Sequence, residues 1–152
     1  MIEEGKPAPD FEAMTDTGER VKLSDFRGKA VVLYFYPKDD TPGCTLQACG
    51  FRDTIAEFDR RGAVVLGVSP DDVASHVRFK EKYEIPFVLL ADPEHTVAEQ
   101  YGVWGEKNYA GRKYMGISRT TFVIDAKGNL VKTMHNVKPD GHPQQVLEAL
   151  PS

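Results

Sequence analysis

The sequence predicts a layered α/β fold, and three observations carry that reading. Ala30 to Tyr36, Gly62 to Val68 and Pro86 to Leu90 are short apolar runs rich in β-branched and aromatic residues, the pattern of strands covered on both faces. The stretches between them carry helix-start signals or helical periodicity, so strands and helices alternate along the chain. The chain has 152 residues, 41% of them hydrophobic, and a chain of that size buries about 68–70% of its unfolded surface, enough for one core.

Each element follows in order. Asp10 to Leu23 alternates weakly around Thr17-Gly18 and reads as an N-terminal hairpin. Ala30 to Tyr36 is the first buried strand. Thr41 as cap and Pro42 at the first helical position then open a helix. On it Cys44, Ala48, Phe51, Ile55 and Phe58 recur at steps of four, three, four and three, which makes one apolar stripe. Gly62 to Val68 is the second strand. Ser69 as cap, Pro70 at the first helical position and Asp72 two residues later begin a helix over Val73 to Tyr83. Pro86 to Leu90 is the third strand, and Thr96 to Tyr101 a short helix after Asp92-Pro93. Arg119 to Asp125 and Leu130 to His135 flank Ala126-Lys127-Gly128-Asn129 as a second hairpin. Pro143 to Leu150 closes the chain as an amphipathic helix. With no repeat and no linker, residues 1–152 read as a single domain.

Composition excludes several function classes. The 19 basic and 23 acidic residues leave a net charge of -4 without a block of like charge, so neither nucleic acid nor an anionic membrane is an expected partner. The longest apolar run is far below the ~20 residues of a membrane span, and Met1-Ile2-Glu3-Glu4 lacks the basic start of a secretory leader. The expectation is a soluble, cytoplasmic protein. Two cysteines are too few for a disulfide scaffold.

Those two, Cys44 and Cys49, concentrate the question of function. Cys44 falls in the first turn of its helix, where free amides and the helix dipole favour an anion. Cys49 is five residues on. In an intact helix that spacing separates the Cα atoms by about 8.6 Å, beyond the ~7 Å limit for a disulfide. The pair can therefore bond only if the helix locally unwinds. Gly43 and Gly50 flank the pair, and glycine in a helix costs about 1 kcal/mol relative to alanine, which lowers the cost of unwinding. Residue pattern alone also admits two inert buried thiols. A zinc site lacks a second ligand pair. His76, His95, His135 and His142 read as surface or satisfied core residues, and Arg52 as structural or surface.

Pro37, Thr41 and Cys44 match the Pro-x-x-x-Thr-x-x-Cys motif of peroxiredoxins. Thr41-Pro42-Gly43-Cys44-Thr45 with Ala48-Cys49-Gly50-Phe51-Arg52-Asp53 resembles the PrxQ, or bacterioferritin comigratory protein, subgroup. Tyr101-Gly102-Val103-Trp104-Gly105-Glu106-Lys107, Arg119-Thr120-Thr121-Phe122-Val123-Ile124-Asp125, Gly141-His142 and Val146-Leu147 extend the resemblance over nearly the whole chain. It implies a thioredoxin-like fold, with a central mixed sheet flanked by helices and an added N-terminal β-hairpin. It also implies a thiol peroxidase that needs no cofactor and no metal. By position, Cys44 becomes the peroxidatic and Cys49 the resolving cysteine, joined in an intramolecular disulfide. The partners implied are a hydroperoxide substrate and a thioredoxin-like protein reductant, with the chain a monomer or weak dimer. Arg119 matches the active-site arginine. Gln47 stands where an acid is common, and Asn108-Tyr109-Ala110-Gly111 departs from the subgroup.

Magnitudes assign the remaining roles within that resemblance. Full ionisation of a thiol of ordinary pKa ~8.5 gains only ~30-fold, or ~2 kcal/mol, at pH 7. Stabilising charge on the departing oxygen must supply the larger part. Thr41, Arg119 and the amides of Gly43 and Cys44 suit substrate binding of that kind, and Pro37 shields the sulfur. Asp39 and Asp40 oppose an anion and are expected to point to solvent.

Overall fold

In the computed structural model, which describes residues 2–151, the chain forms nine strands and four helices. In chain order they are β1 (Glu12–Thr15), β2 (Arg20–Lys22), β3 (Ala30–Phe35), α1 (Pro42–Arg60), β4 (Ala63–Ser69), α2 (Val73–Tyr83) and β5 (Val88–Ala91). Then follow α3 (Thr96–Gln100), β6 (Trp104–Tyr109), β7 (Arg112–Ile117), β8 (Thr120–Ile124), β9 (Leu130–Met134) and α4 (His142–Ala149). A single 3-10 turn, Leu23–Phe26, links β2 to β3.

Seven strands form one mixed sheet in the order β2-β1-β5-β4-β3-β8-β9. The β3–β4 and β4–β5 pairs are parallel and the others antiparallel. Parallel neighbours require crossovers, and α1 and α2 supply them.

The apolar run of β3 explains why the sheet has a core on each face. Val31, Leu33 and Phe35 enter one cluster with Leu66, Val68, Val97, Tyr101 and Phe122. Ala30, Val32, Tyr34 and Tyr36 enter the other with Cys44, Ala48, Phe51, Phe58, Phe79 and Val146. Alternate residues of one continuous run thus build two cores, as a strand period of two requires. The second core lies beneath α1, α2 and α4, so the apolar stripe of α1 is what docks Cys44 against the sheet.

Two details differ from the sequence reading. Asp72, not Ser69, caps α2, its carboxylate accepting the Ser75 amide at 2.8 Å; Ser69 completes β4 and donates its hydroxyl to Asp71. Residues 104–117 form a two-stranded hairpin apart from the main sheet, where no strands are expected. No described helix is long and apolar enough to cross a membrane.

Candidate active site

The site is assembled where β3 runs into α1. Thr41 has the extended backbone of a helix cap (φ −97°, ψ 156°) and Pro42 takes the first helical position. Its hydroxyl does not cap, however. It donates to the Lys38 carbonyl at 2.9 Å. With its proton committed there, the Thr41 oxygen keeps lone pairs to accept a further hydrogen bond. Thr45 is the first amide of the helix to find a helical acceptor, the Thr41 carbonyl at 2.8 Å. The Gly43 and Cys44 amides precede it, in the turn whose N–H groups point out of the helix end.

Cys44 is 1% exposed on the inner face of α1, as its place in the stripe predicts. Arg119 reaches it from 75 residues away, its Nη2 donating to Cys44 Sγ at 3.2 Å. Topology explains the meeting. β8 is antiparallel to β3 and pairs Thr120 with Phe35, so the residue before β8 lies beside the carboxyl end of β3. The other guanidinium nitrogen donates to Gln47 Oε1 at 2.6 Å. Gln47 is fully buried, one turn beyond Cys44, and it replaces the expected acid with a neutral acceptor that holds the fork. Its own Nε2 has no partner in the structure.

Gly43 and Gly50 have a different local reason from ease of unwinding. A β-carbon at Gly43 would lie 3.3 Å from Arg119 Nη2, and one at Gly50 only 2.9 Å from Pro143 Cγ. The first glycine admits the guanidinium to the sulfur, and the second lets α4 pack on α1. Cys49 is half-buried, and both cysteines are free thiols on one continuous helix. Helix geometry therefore still holds their Cα atoms about 8.6 Å apart.

Asp39 corrects another expectation. It is buried, accepting from the Tyr36 hydroxyl at 2.6 Å and the Ser75 hydroxyl at 2.8 Å, and facing His76 Nδ1 at 2.7 Å. Only Asp40 turns outward, to Lys82 and Tyr83. His76 is a satisfied core residue, its Nε2 meeting the Leu90 carbonyl at 2.9 Å, whereas His142 is only half satisfied: Nε2 meets Thr121 Oγ1 at 2.7 Å and the buried Nδ1 has no partner in the structure. Arg52 braces α1 against the Tyr83 carbonyl. Pro37 stands exposed at the head of the loop. Thus Cys44, Arg119, Gly43 and Thr41 gather at one helix end, with Cys49 one turn and a half beyond. Sequence reasoning missed the Gln47 anchor and the buried Asp39 cluster.

A family model described as the AhpC/TSA family matches residues 5–133. The chain belongs to that family: it is a peroxiredoxin. The peroxiredoxin Bcp of Bacillus subtilis strain 168 is 52% identical over 149 residues, 98% of this chain and 95% of that protein. Among solved structures, the Xanthomonas campestris bacterioferritin comigratory protein, described for alkyl peroxide reduction, superposes with TM-score 0.90 at 36% identity over 97% of this chain and 96% of its own. A mutant of Xylella fastidiosa PrxQ gives 0.92 at 32% identity over 97% and 94%. This peroxiredoxin is accordingly a thiol peroxidase of thioredoxin-like fold, and one turn of α1 carries both the Cys44 thiol and the Gln47 oxygen that accepts from the same arginine.

Proposed function

We propose that this peroxiredoxin reduces hydrogen peroxide and organic hydroperoxides through Cys44, and that Cys49 resolves the product. The observation that carries the assignment is Arg119 Nη2 at 3.2 Å from a buried sulfur at a helix N-terminus. An arginine in that position stabilises a thiolate and still offers N–H groups to an incoming oxygen.

The Cys44 thiolate attacks the terminal oxygen of the hydroperoxide, and the O–O bond breaks as the S–O bond forms. Sulfur gives up two electrons, the departing oxygen takes a proton to leave as water or an alcohol, and Cys44 becomes a sulfenic acid. Arg119 and the Gly43 and Cys44 amides donate to the oxygens where charge grows. Thr41, its proton held by Lys38, accepts the peroxide O–H and orients it. Pro37, with its own φ fixed by the ring, restrains the loop that leads into α1. Melting of the first turns of α1 then brings Cys49 to the sulfenic acid. The Cys49 thiol displaces hydroxide, which leaves as water, and the disulfide closes. A dithiol protein of thioredoxin type regenerates both thiols by exchange. The chain works as one domain over residues 1–152, a monomer or weak dimer in the cytoplasm, where a reducing environment keeps a free thiol pair ready.

Mass spectrometry after one equivalent of peroxide tests the assignment. Wild type should yield a Cys44–Cys49 disulfide, Cys49→Ser should consume about one equivalent and stall as sulfenic acid, and Cys44→Ser should not turn over. Full turnover in Cys44→Ser would overturn it.

A further inference from the structure

The loop between β3 and α1 is held by a buried polar cluster that the peroxide chemistry does not use directly. Asp39 is 7% exposed, His76 0% and Tyr36 1%. Asp39 Oδ1 accepts the Tyr36 hydroxyl, and Oδ2 accepts the Ser75 hydroxyl and meets His76 Nδ1 at 2.7 Å. The Asp39 amide donates to Asp71 Oδ2 at 2.7 Å, and the same oxygen accepts the Ser69 hydroxyl.

One peptide unit links this cluster to the reacting end of α1. The Lys38–Asp39 peptide has its N–H on Asp71 and its C=O on the Thr41 hydroxyl. The direction in which the Thr41 lone pairs point is therefore set by how Asp39 is anchored. His76 completes that anchor from α2, across 37 residues of chain.

Counting protons shows what the anchor requires. A carbonyl carries no proton, so His76 Nε2 must donate to Leu90. A neutral ring then has a bare lone pair at Nδ1, facing a carboxylate oxygen at 2.7 Å. That contact is attractive only if one further proton lies between the two groups. Without it the two lone pairs repel inside a buried site, and Asp39 must move, carrying the Lys38 carbonyl with it.

The groups facing His76 come from several elements. Asp39 and Tyr36 face it from β3 and its loop, Asp71 from the loop before α2, and the Leu90 carbonyl from β5. Arg78 and Lys82 of α2 line the cleft outside Asp39 and Asp40. Burial alone pulls the His76 pKa down, but the hydrogen bond and charge of Asp39, the Leu90 carbonyl and the charge of Asp71 raise it above the ordinary value of 6.5. The sign follows: the tether is fully present below about pH 6.5 and is lost as pH rises through the raised value.

We propose that Asp39 and His76 are positioning residues of the peroxidatic site, sharing a proton whose loss releases the Thr41 hydroxyl from its working orientation and so sets an alkaline limit to Cys44 oxidation. The proposal rests on Cys44 being the reacting thiol.

The test is the second-order rate of Cys44 oxidation by hydrogen peroxide, measured by stopped flow on reduced protein from pH 5.5 to 9.5, together with 15N spectra of the histidine rings. Wild type should show both His76 nitrogens protonated at neutral pH, and its oxidation rate should fall at alkaline pH as that proton leaves. His76→Gln should be slower by about tenfold on the plateau, a misplacement cost, and should lack the alkaline fall. Asp39→Asn can donate to a neutral Nδ1, so it should stay within about threefold of wild type and be flat at alkaline pH. Asp39→Ala should be slow throughout. A neutral His76 ring at pH 7 in wild type overturns the proposal whether or not any variant folds. So does an alkaline fall in Asp39→Asn that matches wild type. Peroxide turnover by Cys44→Ser would instead sink the assignment of the thiol, leaving the His76 spectrum unaffected.

Discussion

Arg119 divides its guanidinium between Cys44 and Gln47, with Nη2 3.2 Å from the sulfur and Nη1 2.6 Å from the amide oxygen. Gln47 lies three residues after Cys44 on the same face of α1, so one helix supplies both the thiol and the acceptor that orients the guanidinium beside it.

A planar fork is what this arrangement uses, and lysine cannot reproduce it. Arg119→Lys should lower the rate of Cys44 oxidation by about 10²-fold, comparable to losing one preorganised donor. Gln47→Ala, which frees the fork without removing its charge, should cost less, about tenfold. Stopped-flow oxidation of reduced protein measures both. Near-wild-type rates in both variants, each of which keeps a positive charge beside Cys44, would show that charge near the sulfur, and not its direction, is what matters.

Gly50 and Pro143 make a second relationship with a measurable consequence. Alanine at position 50 would gain about 1 kcal/mol of helix propensity, but its β-carbon would stand 2.9 Å from Pro143 Cγ. Overpacking of that kind costs about 1–3 kcal/mol, so the net change is destabilising by about 1 kcal/mol. Gly50→Ala should lower the Tm of the dithiol form by roughly 2–4 °C. If the proposed Cys44–Cys49 disulfide opens the turns around both cysteines, the disulfide form should lose less. The couple should then move to a more negative reduction potential by about 20 mV. Equal destabilisation of both forms would mean that α1 stays docked on α4 after oxidation. Far-UV circular dichroism of the wild type gives the companion check: oxidation should reduce helicity, and superimposable spectra would exclude melting of α1.

These relationships were unequally legible in the sequence. The α1 stripe from Cys44 to Phe58, the buried run of β3 and the β8–β9 hairpin all announce themselves, because local periodicity and apolar runs encode them directly. Arg119 does not: nothing in its own segment says that β8 will pair with β3, and only the family resemblance points to it. Asp39 and Asp40 read alike as adjacent acids, yet one is buried and one exposed, because Tyr36, Ser75 and His76 converge on the first only after β4 and α2 are in place. The β6–β7 hairpin was missed for a local reason. Its strands are largely exposed and show no apolar alternation, and its turn uses Ala110 and Gly111, both at positive φ (53° and 79°), in place of the Asn-Gly that marks such turns. Thr41 reads as a cap by residue type, but its hydroxyl turns back to the Lys38 carbonyl.

His142 makes the pH behaviour of the fold separable from that of the site. Its ring is buried at the start of α4, packed edge-on against Phe51 at 5.9 Å, with Nε2 on Thr121. Burial pushes its pKa down to about 4, and the nearby charge of Arg119 adds to the effect. The folded protein therefore holds this ring neutral where the unfolded chain, with an ordinary histidine near 6.5, takes up a proton. Its contribution to stability is complete above about pH 6.5 and declines as pH falls toward 4, opposite in sign to that of His76. Urea unfolding at intervals between pH 7 and 4 should show wild type losing stability faster than His142→Asn across that window, with the two curves parallel above it. Parallel curves throughout would mean that the ring takes up its proton over the same pH range in the folded and unfolded chain, so that burial against Phe51 does not hold it neutral.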